Sequence, residues 1–470
     1  MAPGGIEDKF EGLIADSMMR EHIAGLSLAV VKDGRIVYAR GFGARDLKAG
    51  LPATPDTLYG IGSITKSFTA MAIMQLQEAG KLNVDDPVSK HLPNFKLGRE
   101  GKPITIRHLL SHSSGIPDLV WENVSSNRQL DGEEKWTPLT SFDDFMTFIN
   151  GAKDEVAADP GARFFYLNEG YVLLGKILEV ASGMRYEDYI TQKILRPLKM
   201  MRSGFPVKDF EKDGDVATLY QVQTKDNRLV SIPYVPSSFI YYFSPGYADG
   251  FLFSSVVELC NYLTACMNEG VFEGTRVLGE SLVEELFKPR IDVGYPTVFG
   301  KRMYGYGWGV YGDFFGHRCI GHNGSILVSG GDLRFVPDLN LGVAVAFNNA
   351  MSESAYLVAS AVLMLFMGMD PMKLIPAFEM EKKLNQLTGE YQTYKGIAKV
   401  SVARKGGVLF LESKEKLDEM SLALIPESDK FETFKFHVLT GGTRMPAEFV
   451  VDSSGKVDLF IERNRFRKVK

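Results

Sequence analysis

The sequence predicts an α/β (α+β) protein in which helices cover a mostly antiparallel sheet, with a helical subdomain and a small C-terminal all-β barrel. Three observations predict this architecture. Strand patterns open the chain and return near Tyr306, helical periodicity dominates residues 105–262 between them, and short alternating runs with glycine turns end the chain. Strands on both sides of a helical block, followed by a helix, indicate a sheet with helices packed on it.

The first strands form a predicted hairpin over residues 26–43. An Asp-Gly pair at 33–34 separates two runs rich in β-formers, and this pair favours a two-residue turn because both central positions need positive φ angles. The first helix is predicted over residues 63–79, where apolar residues recur three and four apart, and Gly80 ends it. A second clear helix covers residues 170–181.

Strands resume after the helical block near Tyr306, over residues 325–328 and over the apolar run 342–348. A core helix is predicted over residues 355–369. Its apolar length is about fifteen residues, fewer than the roughly twenty that span a bilayer. No membrane partner is therefore expected.

Composition changes after Met372, where lysine- and glutamate-rich sequence leads into short strands at regular spacing. Regular short strands with turn signals are typical of a small barrel. We expect a first domain over residues 1–372, a linker over residues 373–385 and a β-barrel domain over residues 386–470.

Charge and cysteine content exclude several classes of protein. The 470-residue chain carries a net charge of −5 without a Lys/Arg-rich block, so no nucleic-acid partner is expected. Its three cysteines do not build a disulfide framework. The N-terminus lacks the basic start and apolar run of a signal peptide, although a trimmed leader would leave the same sequence. These features predict a cytoplasmic protein with reduced thiols.

The first candidate for chemistry is Ser63-Ile-Thr-Lys66, a Ser-x-x-Lys pattern at the start of the first helix. Residues three apart lie on one helix face, so the hydroxyl and the amine are one turn apart. A serine hydroxyl is a weak nucleophile until a neighbouring base takes its proton. A lysine is such a base only where burial or nearby positive charge disfavours an ammonium group. Residues 413–416 and 453–456 match the same pattern in turn-like segments. The pattern alone is therefore weak evidence, and other motifs must show which match is functional.

Two companion motifs each occur once. Tyr166-Leu-Asn168 lies just before the predicted helix 170–181, and alternation lets both side chains project to one side of an extended segment. His322-Asn-Gly324 lies in a strand-like run, where a glycine permits the close approach of another backbone.

The order Ser-x-x-Lys, Tyr-x-Asn, His-x-Gly resembles the serine β-lactamase and penicillin-binding protein superfamily, especially class C β-lactamases, DD-peptidases and D-aminopeptidases. The resemblance extends over roughly residues 10–370, through stretches similar to those of the family: residues 106–117, 160–164, 170–175 and 306–309. The C-terminal domain resembles the lipocalin-like barrel of some archaeal serine peptidases in this family. The resemblance implies a β-lactamase/transpeptidase-like fold and a homo-oligomer.

The same resemblance implies a role for each motif residue. Ser63 attacks a carbonyl and forms an acyl-enzyme, with Lys66 and Tyr166 as general base and later general acid. Asn168 binds the substrate amide, and Gly324, in the strand of the His-x-Gly motif, allows another backbone to approach closely. The backbone N–H groups of Ser63 and Ser325 form an oxyanion hole.

His322 departs from the β-lactamase pattern, because many β-lactamases have lysine at this position. Lysine is a permanent cation suited to a substrate carboxylate, whereas histidine is mostly neutral near pH 7. Histidine here is similar to DD-peptidases and D-aminopeptidases and argues against an efficient β-lactamase. His322 is expected to bind substrate, and Trp308 and Tyr242 are expected to line the cleft, as equivalent stretches do in the family.

Two further motifs are considered and rejected. His108 and His112 have the i, i+4 spacing of a zinc helix, but the glutamate and a third ligand are missing. Residues 307–312 match Gly-x-Gly-x-x-Gly without a following helix to hold a pyrophosphate, so these glycines are expected in tight turns beside the site. We therefore expect no metal and no cofactor.

The predicted function is a serine hydrolase, most simply a peptidase or amidase acting on small peptides that include D-residues. A carboxylesterase of the β-lactamase-like type is the main alternative, and a weak β-lactamase is another. A catalytically inactive scaffold or binding protein is the alternative from a different class. The expected partner is a small-molecule or short-peptide substrate.

Overall fold

The computed structural model describes residues 5–121, 141–205, 213–223, 228–232, 244–326, 329–349, 353–405, 407–415, 418–428 and 433–470. The chain forms two compact units, Met1–Gly368 and Met369–Lys470. The architecture confirms the predicted fold class: helices on an antiparallel sheet in the first unit and a closed barrel in the second.

The first unit is built on an antiparallel sheet that has nine strands within the described residues. In chain order they are β1 (Gly25–Lys32), β2 (Arg35–Asp46), β3 (Leu51–Pro52), β10 (Ile291–Thr297), β11 (Gly300–Tyr304), β12 (Gly309–Phe314), β13 (His317–Ser325), β14 (Gly330–Val336) and β15 (Leu341–Phe347). Their spatial order is β10-β11-β12-β13-β14-β15-β1-β2-β3. Short pairs lie outside it: β4 (Tyr59–Gly60) with β7 (Phe253–Ser254), β5 (Leu219–Gln223) with β6 (Arg228–Ile232), and β8 (Val271–Phe272) with β9 (Thr275–Arg276).

The sheet joins the two ends of the first unit, because β1 pairs with β15 in continuous register from Leu26↔Phe347 to Lys32↔Leu341. The predicted hairpin is confirmed as β1 and β2. Its turn residues Asp33 and Gly34 have φ angles of 50° and 70°, as a turn with two left-handed positions requires.

Helices surround this sheet. In chain order they are α1 (Ile6–Arg20), α2 (Thr65–Glu78), α3 (Val88–His91), α4 (Ile106–Leu110), α5 (Phe142–Gly151), α6 (Asn168–Ser182), α7 (Tyr186–Ile190), α8 (Val256–Met267), α9 (Glu280–Phe287) and α10 (Glu353–Phe366). Helix α10 packs on β14, β15 and helix α1, and α8 packs on β15 and β1. Among the described residues, no helix combines the length and apolar character needed to cross a bilayer.

Helix α2 is the core element that carries the first motif. Every residue from Thr65 to Met74 is buried, including the polar ones. A helix buried on all sides lies inside a domain and not on its surface. Its Phe68 ring stacks on Tyr262 of α8 with centroids 3.9 Å apart. The start of α2 is therefore held inside the protein.

The second unit begins with α11 (Pro371–Leu374) and α12 (Pro376–Leu387). It continues as a closed eight-stranded barrel: β16 (Gly389–Gln392), β17 (Lys399–Lys405), β18 (Val408–Glu415), β19 (Asp418–Pro426), β20 (Lys435–Thr440), β21 (Thr443–Val451), β22 (Val457–Ile461) and β23 (Asn464–Lys468). Most of the segment predicted to be a linker lies in α12. Because Leu384 and Leu387 of α12 are buried in one cluster with Tyr391 and the barrel interior, this segment packs as part of the second unit.

Candidate active site

A short turn sets the geometry of Ser63. Residues Gly62–Ile64 form one turn of 3₁₀ helix that runs directly into α2. The Thr65 hydroxyl donates to the Gly62 carbonyl at 2.7 Å and accepts the Leu252 N–H at 3.1 Å, which ties this turn to the segment just before β7. Gly62 has a φ of +54°, a left-handed conformation that glycine adopts readily.

Lys66 lies one turn after Ser63 and is fully buried. Its Nζ donates to Ser63 Oγ at 3.0 Å and to the Asp249 carbonyl oxygen at 2.6 Å. The same Nζ lies 5.0 Å from the ring centroid of Tyr166 and 5.5 Å from that of Tyr171. The three residues predicted to carry the chemistry are thus brought together around one buried amine.

Strand β13 meets the start of α2 at two glycines. A Cβ on Gly324 would lie 2.6 Å from the Ser63 nitrogen and 2.1 Å from the Ile61 oxygen, and a Cβ on Gly62 would lie 2.1 Å from the Ser325 nitrogen. Only residues without a side chain permit this approach. It brings the backbone amides of Ser63 and Ser325 into one small region, as an oxyanion hole requires.

Asn168 is the first residue of helix α6 and follows Tyr166 by two positions. Its Oδ1 is buried and has no hydrogen-bond partner among the residues that the structure describes. An unsatisfied buried acceptor is uncommon in proteins.

His322 is neutral, and both of its ring nitrogens are hydrogen-bonded. Nδ1 lies 2.6 Å from the Asn323 carbonyl oxygen, which can only accept, so Nδ1 carries the proton. Nε2 therefore accepts from the Tyr304 hydroxyl at 2.8 Å. Burial, followed by the charges of Arg302 and Lys66, lowers the pKa of His322 to about 3. This histidine supplies no positive charge to a substrate near neutral pH.

The remaining predicted residues are placed differently. Trp308 is in the core and not in a cleft: it is fully buried, and its indole packs edge-on against Phe335 and Phe287. Tyr242 lies outside the described residues. Gly307 has a φ of +72°, and a Cβ there would lie 2.8 Å from the Lys66 oxygen, so this glycine lies in a tight turn beside the site. Gly309 and Gly312, which were also expected in tight turns, lie in strand β12 instead.

Sequence reasoning missed two neighbours of the motif residues. Tyr304 is fully buried and bonds His322, and His112 is almost fully buried with its ring 4.1 Å from that of Tyr166. His112 was visible in the sequence only as half of a zinc-like pair. Its partner His108 instead accepts the Thr105 N–H at 3.1 Å and caps helix α4. No cluster of metal ligands occurs in the described part of the chain.

The chain matches two known protein families and several solved structures. The β-lactamase family model matches residues 10–362, and the model of the Pab87 octamerisation domain matches residues 371–467. The structure of the octameric penicillin-binding protein homologue from Pyrococcus abyssi is 40% identical, with a TM-score of 0.87 over 98% of this chain and 99% of that one. A penicillin-binding protein from Bacillus halodurans is 25% identical, with a TM-score of 0.60 over 75% of this chain and 99% of that one.

Curated relatives match over shorter stretches. Protein flp of Staphylococcus aureus strain MW2 is 34% identical over 46% of this chain and 42% of its own length. The putative penicillin-binding protein PbpX of Bacillus subtilis is 30% identical over 58% of this chain and 60% of its own length. The chain therefore spans less than two thirds of these relatives.

The glycine contact predicts the effect of a single methyl group. Gly324→Ala places a Cβ against the Ser63 amide, so we expect acylation of Ser63 by a fluorophosphonate to slow by about 10²-fold. Gly312→Ala is the matched control, because no atom lies within 4 Å of the added Cβ in strand β12. Labelling rates would be measured by intact mass, with circular dichroism to check folding. Equal rates in the two variants would show that the contact does not position Ser63.

The low pKa of His322 predicts a pH dependence of stability. Between pH of about 3 and about 6.5 the unfolded chain binds a proton at this histidine that the folded protein does not bind. The free energy of unfolding therefore falls as the pH is lowered through this window. In His322→Gln we expect that fall to be smaller, by about 1.4 kcal/mol per pH unit below pH of about 6. Urea unfolding at pH 4 to 7 measures the free energy of unfolding in both proteins. The same dependence of this free energy on pH in the two proteins would contradict the low pKa of His322.

Proposed function

The chain belongs to the β-lactamase family, and we propose that it is a serine hydrolase that forms an acyl-enzyme on Ser63. Its proposed substrates are small peptides or their amides, including peptides with D-residues. The single observation that carries this proposal is the hydrogen bond of 3.0 Å between Lys66 Nζ and Ser63 Oγ, made by a fully buried lysine.

A lysine without exposed surface calls for an explanation. Fully buried lysines are rare, and a structural one is normally paired with a carboxylate. Within the described residues Lys66 forms no ion pair; it bonds a serine hydroxyl and one carbonyl oxygen. An amine that faces a hydroxyl in this way is the arrangement expected of a nucleophile and its base.

The proposed reaction has two halves. Ser63 Oγ attacks the substrate carbonyl while its proton passes to the general base formed by Lys66 and Tyr166. The tetrahedral intermediate then expels the amine of the substrate, which takes that proton, and leaves the acyl group on Ser63. A water molecule attacks this ester and gives up a proton to the same base. The carboxylic acid leaves and Ser63 regains its hydrogen.

Charge development on the carbonyl oxygen is proposed to be met by the N–H groups of Ser63 and Ser325. Two amides brought together by rigid elements need no reorganisation as the charge forms, and removal of one such donor typically costs about 2.7–4 kcal/mol of transition-state stabilisation. The unsatisfied Oδ1 of Asn168 is proposed to accept a substrate N–H, which would orient a peptide in the cleft.

A second candidate function is carboxylester hydrolysis, and the state of His322 favours it over β-lactam hydrolysis. Because this histidine is neutral and both ring nitrogens are occupied, it offers no cation for the carboxylate of a β-lactam. Esters and neutral amides do not need that cation. Esters also have better leaving groups than amides, so turnover of a nitrophenyl ester alone does not distinguish the two.

Rates on matched substrates test the proposed function. We expect Ser63→Ala to lose turnover by about 10⁴-fold or more, because the nucleophile is removed. Hydrolysis of D-alanine amides, L-peptides and long-chain esters would be measured by product chromatography, with a cephalosporin as the β-lactam. Long-chain esters as the best substrates would favour the esterase, and cephalosporins as the best would overturn the argument from His322. A folded protein whose Ser63 forms no adduct with a fluorophosphonate or penicillin would be a scaffold.

Assembly provides a separate prediction. We propose that residues 369–470 mediate assembly into an octamer, because this segment matches an octamerisation domain and the similar protein from Pyrococcus abyssi is octameric. Light scattering should give eight times the 52.2-kDa subunit mass for the full chain and a much smaller particle after truncation at residue 368. The rate at which a fluorophosphonate labels Ser63 should change far less on truncation than the particle mass does. An unchanged elution volume with abolished labelling would contradict the proposal.

A further inference from the structure

His112 contacts the segment around Tyr166 in three ways. Its carbonyl oxygen accepts the N–H of Phe165 at 2.8 Å, and its Nδ1 accepts the N–H of Leu167 at 2.9 Å. Its ring stacks on the Tyr166 ring, with centroids 4.1 Å apart and planes 30° apart. One residue therefore binds the N–H groups of both residues adjacent to Tyr166 and stacks on one face of the phenol ring.

The tautomer of His112 follows from these bonds. Because Nδ1 accepts a hydrogen bond, the proton of the neutral ring lies on Nε2. That nitrogen is buried and has no partner within the described residues. Burial, followed by the charge of Lys66, holds the pKa of His112 well below its usual range. A protonated ring would carry a hydrogen on Nδ1 and could not accept from Leu167.

The backbone of His112 is also unusual. Its φ is +55°, in the left-handed region that few residues other than glycine occupy. An orphaned donor and a strained backbone at one position are features that persist at functional sites, where the surrounding structure maintains them. The ring also contacts Tyr171 and Tyr304, with centroids 5.1 and 5.0 Å away, so it sits among the aromatic groups around Lys66.

We propose that His112 is a positioning residue that holds Tyr166 in the orientation needed for proton transfer at Ser63 and Lys66. It does not touch the reacting atoms. It acts by binding the backbone on both sides of Tyr166 and by stacking on the phenol. The inference rests on the proposed function, because it concerns how that same site is ordered.

Substitutions at His112 separate its contacts. His112→Phe keeps a ring of similar size but removes the acceptor for the Leu167 N–H. We expect kcat on a nitrophenyl ester to fall by about 10²-fold with little change in KM, because the phenol is misplaced and the substrate contacts are not. His112→Asn tolerates a positive φ and offers Oδ1 as an acceptor, so we expect its kcat to stay within about tenfold of wild type. His112→Gly replaces the Phe variant if that variant does not fold.

A double-mutant cycle with Tyr166 distinguishes positioning from a general structural effect. We expect Tyr166→Phe to lower kcat by about 10²-fold or more, and the double variant to be no slower than the slower single one. Losses that multiply, or a His112→Phe enzyme with wild-type kcat, would overturn the inference. A Tyr166→Phe enzyme with wild-type kcat would instead overturn the proposed role of Tyr166. That result can be told apart from a failure of the inference about His112.

Discussion

The close approach of strand β13 to the first turn of helix α2 is the contact on which the rest of the site depends. Gly62 and Gly324 face backbone atoms of the opposite segment at distances that no side chain would permit. The contact joins the sheet to the buried helix that bears Ser63 and Lys66. The same contact brings the His-x-Gly motif close to the Ser-x-x-Lys motif, because His322 and Ser325 lie within three residues of Gly324 on the same strand.

Electrostatics around this contact follow from burial. His112 and His322 are both uncharged near neutral pH, because burial and neighbouring cations, Lys66 among them, lower their pKa values. Each then uses one nitrogen as an acceptor: His112 for a backbone N–H, and His322 for the Tyr304 hydroxyl. The histidines therefore serve as rigid hydrogen-bonding groups in this site, while Lys66 is left as the amine that contacts the serine.

The sequence predicted the local parts of this arrangement well. The hairpin, helix α2, helix α6 and strand β13 each have a periodicity or turn signal of their own, and each motif spans only three or four consecutive residues. Contacts between distant segments had no such signal. The bonds of His112 to residues 165 and 167 and of Tyr304 to His322 arise only on folding. Trp308 was misplaced because the resemblance of a whole stretch to the family does not tell whether one side chain faces the core or the cleft. Helix α12 was missed because its charged residues obscured three buried apolar ones.

The pairing of β1 with β15 affects how the protein folds while it is synthesised on the ribosome. Strand β1 pairs at once with β2, but its second neighbour, β15, follows only after more than three hundred further residues have been synthesised. Long-range pairing of this kind is slow to form and leaves apolar strand edges open in the meantime. Ser63 and Lys66 are thus made early, yet the strand that completes their surroundings arrives near the end of the unit. A nascent chain would carry the nucleophile for most of its synthesis without the means to use it.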